Sequence, residues 1–401
     1  MRQEYLIYTF VLALTIAEGG VNAILSPFLQ SLHFSLMVIG YFMSMMSLSR
    51  LLSRLPGGML YGFSQKQLFF FIFMLLFGLS ILVLGLTTNT IVLGLAIFAH
   101  GFSFGLITTI LLALCLEIQV EKRRIGEIMG WFMAFNSAGH AVGNSLGGVL
   151  ADYLGFKQCF LIIGLFAGVT ILLQAKLSWP ELEAEQAPQP EDDNKGGFLK
   201  DKLPKFSELT RLPKGVVLAT LLGFMINVLN DMMNTFFPLL ALQRGISLSF
   251  IGFLKGIKAT STTLIRMSLG LLVKWVNYRT LNNIAFLILS VGIFLLPVST
   301  SFFILTILFI TTGLGRGIVR TTSAIFMAEN NFKDLRSKGI ASAVYNAGLD
   351  LGSVLGPVLG GLMSQVLGLA TIFLIFPVIF LTLYVILIVF WERNKFESSS
   401  G

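Results

Sequence analysis

Ionisable side chains stand inside long apolar stretches of this chain. An uncompensated charge in an apolar medium is costly, so such groups usually face a polar cavity or one another. The cations among them could grip an anionic group, and the carboxylates and imidazoles could take up and release a proton. These residues are Glu18, Arg50, Arg54, His100, His140, Asp231, Lys255, Lys258, Arg266, Arg316, Arg320 and Asp350.

Two arginines, Arg316 and Arg320, stand four residues apart, so a helix places both on one face, where their charges repel. An anion is expected opposite them. It is either an internal carboxylate such as Asp350 or Glu18, or a carboxylate, phosphate or sulfonate of a ligand held by guanidinium groups. The candidate binding residues are Arg316, Arg320, Lys258 and Arg50, with two amides that could bond a ligand or bridge helices, Asn22 and Asn234.

The acids and histidines of the same stretches are candidates for proton transfer. A carboxyl group in an apolar cavity holds a proton and gives it up when an arginine approaches, so a moving arginine can load and unload it. A structural ion pair is the alternative interpretation for each acid. His100 and His140 suit packing or gating as well as proton transfer. The candidate proton-coupling residues are Glu18, Asp231, Asp350 and His140.

Membrane-spanning helices must position these residues. With 55% hydrophobic residues, 12% charged residues and a mean hydropathy of +0.84, the chain has too little polar surface to cover a soluble particle of 401 residues. A spanning helix needs about 20 apolar residues. The apolar stretches predict twelve helices, at residues 5–29, 35–61, 67–86, 90–116, 126–151, 158–176, 215–243, 247–274, 280–298, 301–327, 339–364 and 370–391.

An internal repeat relates the first six predicted helices to the last six. Gly40 recurs as Gly252 and Arg54 as Arg266, at a spacing of 212. Further along, a row of glycines recurs at a spacing of 213, from Gly139 to Gly352 onwards. A repeat of this length indicates two halves of one membrane domain rather than a solenoid, whose periods are about 20–50 residues. Arg54 and Arg266, being equivalent, are expected to share a structural role.

Basic residues predict the orientation. Most of the 28 Lys and Arg fall in the termini and in the connections on one side, including residues 122–124, so the positive-inside rule places both termini in the cytoplasm. The first helix is too long for a secretory signal and is expected to remain. The predicted organisation is a bundle at 1–177, a cytoplasmic linker at 178–213, a second bundle at 214–393 and a tail at 394–401. The linker reads as a tether, with regulation as the alternative.

Local motifs resemble those of the major facilitator superfamily of secondary transporters. Residues 352–361 carry Gly-x-x-x-Gly-Pro-x-x-Gly-Gly, which is similar to a glycine-proline helix pattern of that family, and the fifth predicted helix has the same spacing with Asn144 for proline. That helix ends at 148–157 in Gly-Val-Leu-Ala-Asp-x-x-Gly-x-Lys, as is common in the family. The loop after the second helix departs from the family pattern G-x-x-x-D-R-x-G-R-K, because Gly62 replaces the aspartate and only Lys66 is basic.

The resemblance implies an all-α membrane protein with twelve transmembrane helices in two pseudo-twofold-related six-helix halves, working by alternating access. Predicted helices 3, 6, 9 and 12 have no ionisable residue in their cores, and in the family these four are outer supports. We predict a secondary active transporter in the cytoplasmic (inner) membrane, moving a small organic, anionic or zwitterionic solute with proton coupling. The alternatives are an exporter of amphipathic compounds such as a drug, siderophore or lipid, which the altered loop disfavours, and a non-transporting receptor.

Other classes lack sequence support. No metal-ligand spacing, Ser-His-Asp context or glycine-rich phosphate loop suggests an enzyme, and no cofactor is expected. Cys115 and Cys159 are predicted near opposite membrane faces, so no disulfide is expected. The basic residues sit in short loops, which argues against a nucleic-acid partner. The expected partners are the solute, a proton or other coupling ion and the lipid bilayer, with the protein as a monomer.

Overall fold

The computed structural model describes residues 3–61, 65–117, 125–174, 177, 179, 213–328 and 335–399. Over these residues the chain forms twelve α-helices and one short 3₁₀ turn, Leu296–Val298, after the ninth helix. The helices are α1 (Gln3–Ser31), α2 (Leu36–Tyr61), α3 (Lys66–Leu86), α4 (Thr90–Glu117), α5 (Ile125–Leu154), α6 (Phe156–Gln174), α7 (Lys214–Gln243), α8 (Leu248–Leu272), α9 (Tyr278–Leu295), α10 (Phe302–Ala328), α11 (Leu335–Leu367) and α12 (Leu369–Ser399).

Each predicted helix has its counterpart in the structure. The ends agree closely except in α12, which continues past Trp391 to Ser399, because a helix continues into polar sequence where a hydrophobic search stops. The predicted linker, 178–213, lies outside the described residues apart from Trp179 and Pro213, as does Gly62 in the altered loop. Within the described chain, nine helices are long and apolar enough to cross a membrane.

Composition explains why the other three helices fall short of that measure. The apolar part of α6 is short, covering Phe156–Leu172. Helix α8 carries Lys255, Lys258 and Arg266, and α5 is rich in glycine and polar residues. Both α5 and α8 lie between the two halves of the bundle, so their polar side chains need not face lipid.

The two halves, α1–α6 and α7–α12, are built with the same internal contacts. In the first half α1 packs on α5, α2 on α4 and α3 on α6. In the second half α7 packs on α11, α8 on α10 and α9 on α12. Helices α3, α6, α9 and α12 lie outermost and expose large apolar side chains such as Leu165 and Leu172, as lipid contact requires. The repeat in the sequence is thus a repeat of packing.

The repeat extends to the backbone of the turns. Gly155 and Gly368 end α5 and α11 with φ of +83° and +90°, and they are equivalent at the 213 spacing. Gly245 (φ +74°) follows α7, and its equivalent after α1 is His33 (φ +62°). Left-handed φ favours glycine because it has no Cβ. Equivalent turns of the two halves therefore share the left-handed conformation. At His33 it is adopted by a residue with a side chain, for which it is less favourable than for glycine.

Two helix crossings join the halves, α2 with α11 and α5 with α8. Both are closest where glycines meet. A Cβ placed on Gly252 would lie 3.0 Å from the Cα of Gly148, and one placed on Gly361 would lie 3.2 Å from the Cα of Gly40. Such contact needs residues without side chains. We call this end of the bundle, where α1 ends and α2 begins, the closed face, and the other end, where α1 begins, the terminal face.

A polar contact reinforces the closed face. The Ser249 hydroxyl at the start of α8 donates to Asp152 Oδ2 near the end of α5 at 2.6 Å. Further along the same two helices, at Gly130 and Gly270 near the terminal face, a Cβ would have nothing within 4 Å. The halves are therefore tightly joined at the closed face, and these two positions near the terminal face have free space around them.

Enlarging a glycine at the closed face should destabilise the protein. Gly252→Leu would push a side chain into the backbone of α5 at Gly148, and overpacking of this kind costs about 1–3 kcal/mol. We expect a lower apparent melting temperature in detergent. The matched control is Gly270→Leu on the same helix, where space is available. Equal melting temperatures for the two variants would contradict the tight crossing.

Candidate functional site

A polar cavity of about 320 Å³ lies between the halves, and a second of about 210 Å³ adjoins it on the side of α2 and α11. The size suits a small organic molecule. Of the candidate residues, the larger cavity is lined by Asn22, Arg50, His140, Asp231, Asn234, Lys258, Arg316 and Arg320, and the smaller one adds Asp350. Glu18 alone among the candidates lines neither cavity.

Glu18 is fully buried behind the cavity wall, in a closed network on α1, α2 and α4. Arg50 pairs with its Oε1, and Asn22 Nδ2 donates to the same oxygen at 2.7 Å. On the other side, His100 Nε2 lies 2.7 Å from Oε2. His100 is itself fully buried, and its Nδ1 lies 3.5 Å from the Ser80 hydroxyl on α3. The charge of Arg50 is thus offset from within its own half.

A second ion pair joins the halves on the terminal-face side of the cavity. Arg54 Nη1 on α2 lies 2.6 Å from Asp350 Oδ2 on α11. Asp350 and Glu18 were the two internal partners considered for Arg316 and Arg320. In the structure both acids pair with other arginines, Glu18 with Arg50 and Asp350 with Arg54. Arg316 and Arg320 therefore form no ion pair with the described residues, so the interpretation that they pair with an internal carboxylate has no support.

Amide groups bond three further charged residues of the C-terminal half, Asp231, Lys255 and Lys258. Asp231 accepts from Asn230 Nδ2 at 2.6 Å and lies 3.5 Å from Asn234 Nδ2. Lys258 Nζ donates to Asn234 Oδ1 at 2.9 Å. Lys255 Nζ crosses to the first half and donates to the backbone carbonyl of Asn22 at 2.8 Å. Neither lysine forms an ion pair within the described chain.

Three arginines of the larger cavity have no side-chain acceptor in the described part of the chain. The guanidinium groups of Arg266, Arg316 and Arg320 donate no hydrogen bond and form no ion pair to the described residues, and Arg316 Nε is buried without a partner. Arginine keeps its charge under all ordinary conditions. Asp231 is the one carboxylate among the described residues that line this cavity. The cavity thus has an excess of fixed positive charge, which an anion would neutralise.

The repeat shows that this excess belongs to one half only. The positions equivalent to Lys255, Lys258, Arg316 and Arg320 in the N-terminal half hold Met43, Met46, Phe104 and Thr108. The positions equivalent to Glu18, Arg50 and His100 in the C-terminal half hold Asn230, Thr262 and Thr312. The N-terminal half therefore carries a neutralised buried network, and the C-terminal half carries cations that form no ion pair with the described residues.

Sequence reasoning left four ionisable residues of this arrangement out of its candidate site, namely Arg54, His100, Lys255 and Arg266. His100 and Lys255 stood among the ionisable residues of the apolar stretches, but no spacing along the chain showed their partners. Arg266 was expected to share a structural role with Arg54. The structure contradicts that expectation, since Arg54 is paired with Asp350, whereas Arg266 lines the cavity and has no ion-pair partner among the described residues.

Comparison with known proteins places this architecture in context. A sequence profile described as the Major Facilitator Superfamily matches residues 7–338 and, in a second match, 284–400. An uncharacterized MFS-type transporter of Methanocaldococcus jannaschii is 24% identical over 387 residues, which cover 93% of this chain and 94% of that protein.

Two solved structures share the fold. The nucleoside transporter NupG superposes with a TM-score of 0.77 at 14% identity, covering 97% of this chain and 99% of that one. A bacterial homolog of the human lysosomal transporter Spinster, in an inward-facing and unoccupied conformation, gives a TM-score of 0.71 at 15% identity, covering 90% and 82%. At these identities the likeness concerns the fold alone.

Proposed function

Because the chain belongs to the Major Facilitator Superfamily of membrane transporters, we propose that it is a secondary active transporter of a small organic anion or zwitterion, acting by alternating access. The observation that carries the anionic substrate is a set of three arginines around one cavity, Arg266, Arg316 and Arg320, whose guanidinium groups have no acceptor in the part of the chain that the structure describes. A carboxylate, phosphate or sulfonate would supply the acceptors that the protein does not.

The roles of the lining residues follow from their contacts. Arg316 and Arg320 bind the anionic group directly, and Lys258 adds charge from α8. Asn22 and Asn234 occupy equivalent positions on α1 and α7 and hold Glu18 and Lys258 in place, so they orient charged groups beside the solute. Arg50 is already paired with Glu18, and its contact with solute depends on release from that pair.

The arrangement of the halves supports alternating access. Their contacts are tightest at the closed face. The described helix ends that border the basic stretches of the sequence lie at the terminal face, which we assign to the cytoplasm of a cytoplasmic membrane. The structure then corresponds to an inward-facing state. The similar fold of an inward-facing Spinster homolog supports this assignment. In the opposite state the glycine crossings would separate.

Proton coupling is proposed at Glu18. When Glu18 takes up a proton, the ion pair is lost and Arg50, which also lines the cavity, becomes free to meet the anion. Loss of the proton draws Arg50 back. His100 Nε2, beside the other carboxylate oxygen, stabilises the ionised form. His140, Asp231 and Asp350 line the cavities and are secondary candidates for the proton.

A ligand screen followed by a transport assay tests the proposal. Purified protein would be melted with dicarboxylates, sugar phosphates, sulfonates, nucleosides and uncharged amphiphiles at two pH values. A ligand at about 100 times its Kd stabilises the folded state by about 2.7 kcal/mol. We expect anions to raise the melting temperature, and the best of them to be taken up by proteoliposomes faster under a proton gradient.

Other outcomes of the same experiment separate the alternatives. Stabilisation by amphiphiles and not by anions would favour an exporter of amphipathic compounds, although the charged lining argues against it. Binding of an anion without its appearance inside sealed vesicles would favour a receptor. Uptake of the anion that is unchanged when the proton gradient is collapsed would remove the proton from the proposal.

A further inference from the structure

The two crossings between the halves are related residue by residue. Gly40 and Gly361 meet in the crossing of α2 with α11. Their equivalents by the 212 and 213 spacings are Gly252 and Gly148, which meet in the crossing of α5 with α8. We call each successive contact along a crossing, counted from the closed face towards the terminal face, a level. For each level of the α2–α11 crossing, the repeat predicts which residues of α5 and α8 should be in contact.

The next level keeps the correspondence. The Ser44 hydroxyl on α2 donates to the backbone carbonyl of Val354 on α11 at 2.6 Å. The equivalents are Gly256 on α8 and Ala141 on α5, and a Cβ on Gly256 would lie 2.8 Å from the Ala141 carbonyl oxygen. The same backbone group is approached in both crossings, by a hydroxyl in one and by a bare glycine in the other.

At the third level the two crossings differ in one chemical group, the carboxylate of Asp350. Arg54 on α2 pairs with Asp350 on α11. The equivalents are Arg266 on α8 and Ser137 on α5, which line the same cavity. The second crossing keeps the arginine and lacks the carboxylate. Arg266 has no acceptor among the described residues.

We infer that the space between Arg266 and Ser137 is a subsite for a carboxylate or phosphate group of the solute. The anionic group would pair with Arg266 in the way that Asp350 pairs with Arg54. This inference rests on the proposed function and extends it to a defined place. Without solute the one ion pair between the halves on the terminal-face side, within the described chain, joins α2 and α11. With solute α8 and α5 are bridged as well, so binding draws the terminal-face ends of the halves together.

A substitution at Ser137 can supply the carboxylate in place of the solute. Ser137→Asp places a carboxylate in the position equivalent to Asp350, and Ser137→Asn is the uncharged control of nearly the same shape. Spin labels at Gly130→Cys and Gly270→Cys report the distance between α5 and α8, at positions where a Cβ has free space. The native Cys115 and Cys159 are buried and should stay unlabelled.

We expect Ser137→Asp, in the absence of any ligand, to raise the ratio of short to long label distances by about fivefold, as an added arginine–carboxylate pair would. Ser137→Asn should leave the ratio unchanged, and adding Arg266→Gln to Ser137→Asp should return it to the parent value. Unchanged distances in a folded Ser137→Asp protein, or a change that survives Arg266→Gln, would overturn the inference.

A chemical route covers the case in which Ser137→Asp does not fold. Ser137→Cys can be alkylated after purification with iodoacetate, which adds a carboxylate, or with iodoacetamide, which adds a neutral amide of similar size. The carboxylate adduct should melt at a higher temperature, and the difference should vanish with Arg266→Gln. Equal melting of the two adducts would overturn the inference.

The outcomes are separable from those of the proposed function. If the effect of a carboxylate at position 137 depends on Arg266 but no anion is transported, the anion subsite is supported and the transport proposal is refuted. Anion transport with no such coupling would refute the subsite alone.

Discussion

Arg316→Ala is expected to lower the initial rate of uptake into proteoliposomes at least about 25-fold, for whichever anion the ligand screen identifies. Arg316 lines both cavities and has no acceptor among the described residues, so its hydrogen bonds are made to solute only. Loss of a desolvated charged contact costs about 2–5 kcal/mol, and each 1.4 kcal/mol is about tenfold. Because no internal pair is broken, the variant should melt no lower than the parent protein.

Two further variants sharpen this result. Arg316→Lys keeps the charge and loses the planar fork of donors, so an intermediate rate is expected. Arg279→Ala removes an arginine that packs on Tyr278 of α9, outside both cavities, and should leave uptake unchanged. Normal uptake by Arg316→Ala would remove this residue from the binding site.

The second large effect is expected at the buried network of the N-terminal half. Arg50→Met leaves the fully buried Glu18 carboxylate without its cation, and breaking a buried pair in this way typically costs about 3–5 kcal/mol. We expect a marked fall in the apparent melting temperature at neutral pH. The fall should shrink as the pH is lowered, because protonation of Glu18 removes the uncompensated charge.

The double variant Glu18→Gln/Arg50→Met provides the matched control. It removes both charges while keeping nearly the same volume, so most of the lost stability should return, and its melting temperature should depend less on pH. The double variant should also transport, if at all, without response to a proton gradient. Equal stability of Arg50→Met and the parent protein at neutral pH would contradict the closed network.

Much of the architecture followed from the sequence because lipid imposes a simple rule on it. Each segment that crosses the bilayer must satisfy its own backbone hydrogen bonds and face lipid or a neighbour with apolar groups. Long apolar stretches therefore marked the helices, and the structure confirmed twelve of them. The glycine rows marked the crossings, where Gly148 and Gly252 meet.

The sequence also identified charged residues within the apolar helices. An ionisable group in an apolar helix needs a polar environment, so Arg316, Asp231 and Lys258 were expected to share one, and they line one cavity. The sequence could not say which cation meets which acid. Glu18 and Arg50 are 32 residues apart, and Arg54 and Asp350 are 296 apart.

By itself, then, the sequence determined the number of helices, the duplication and the set of charged residues near the middle of the bundle. Only the tertiary structure decided that Arg54 is paired with Asp350 and that its equivalent Arg266 has no ion-pair partner within the described ranges. Helical periodicity fixes which residues share a face of one helix. The rotation and depth of one helix against another come from side-chain packing between elements distant in the chain. A pairing between helices therefore exists only once the bundle has assembled.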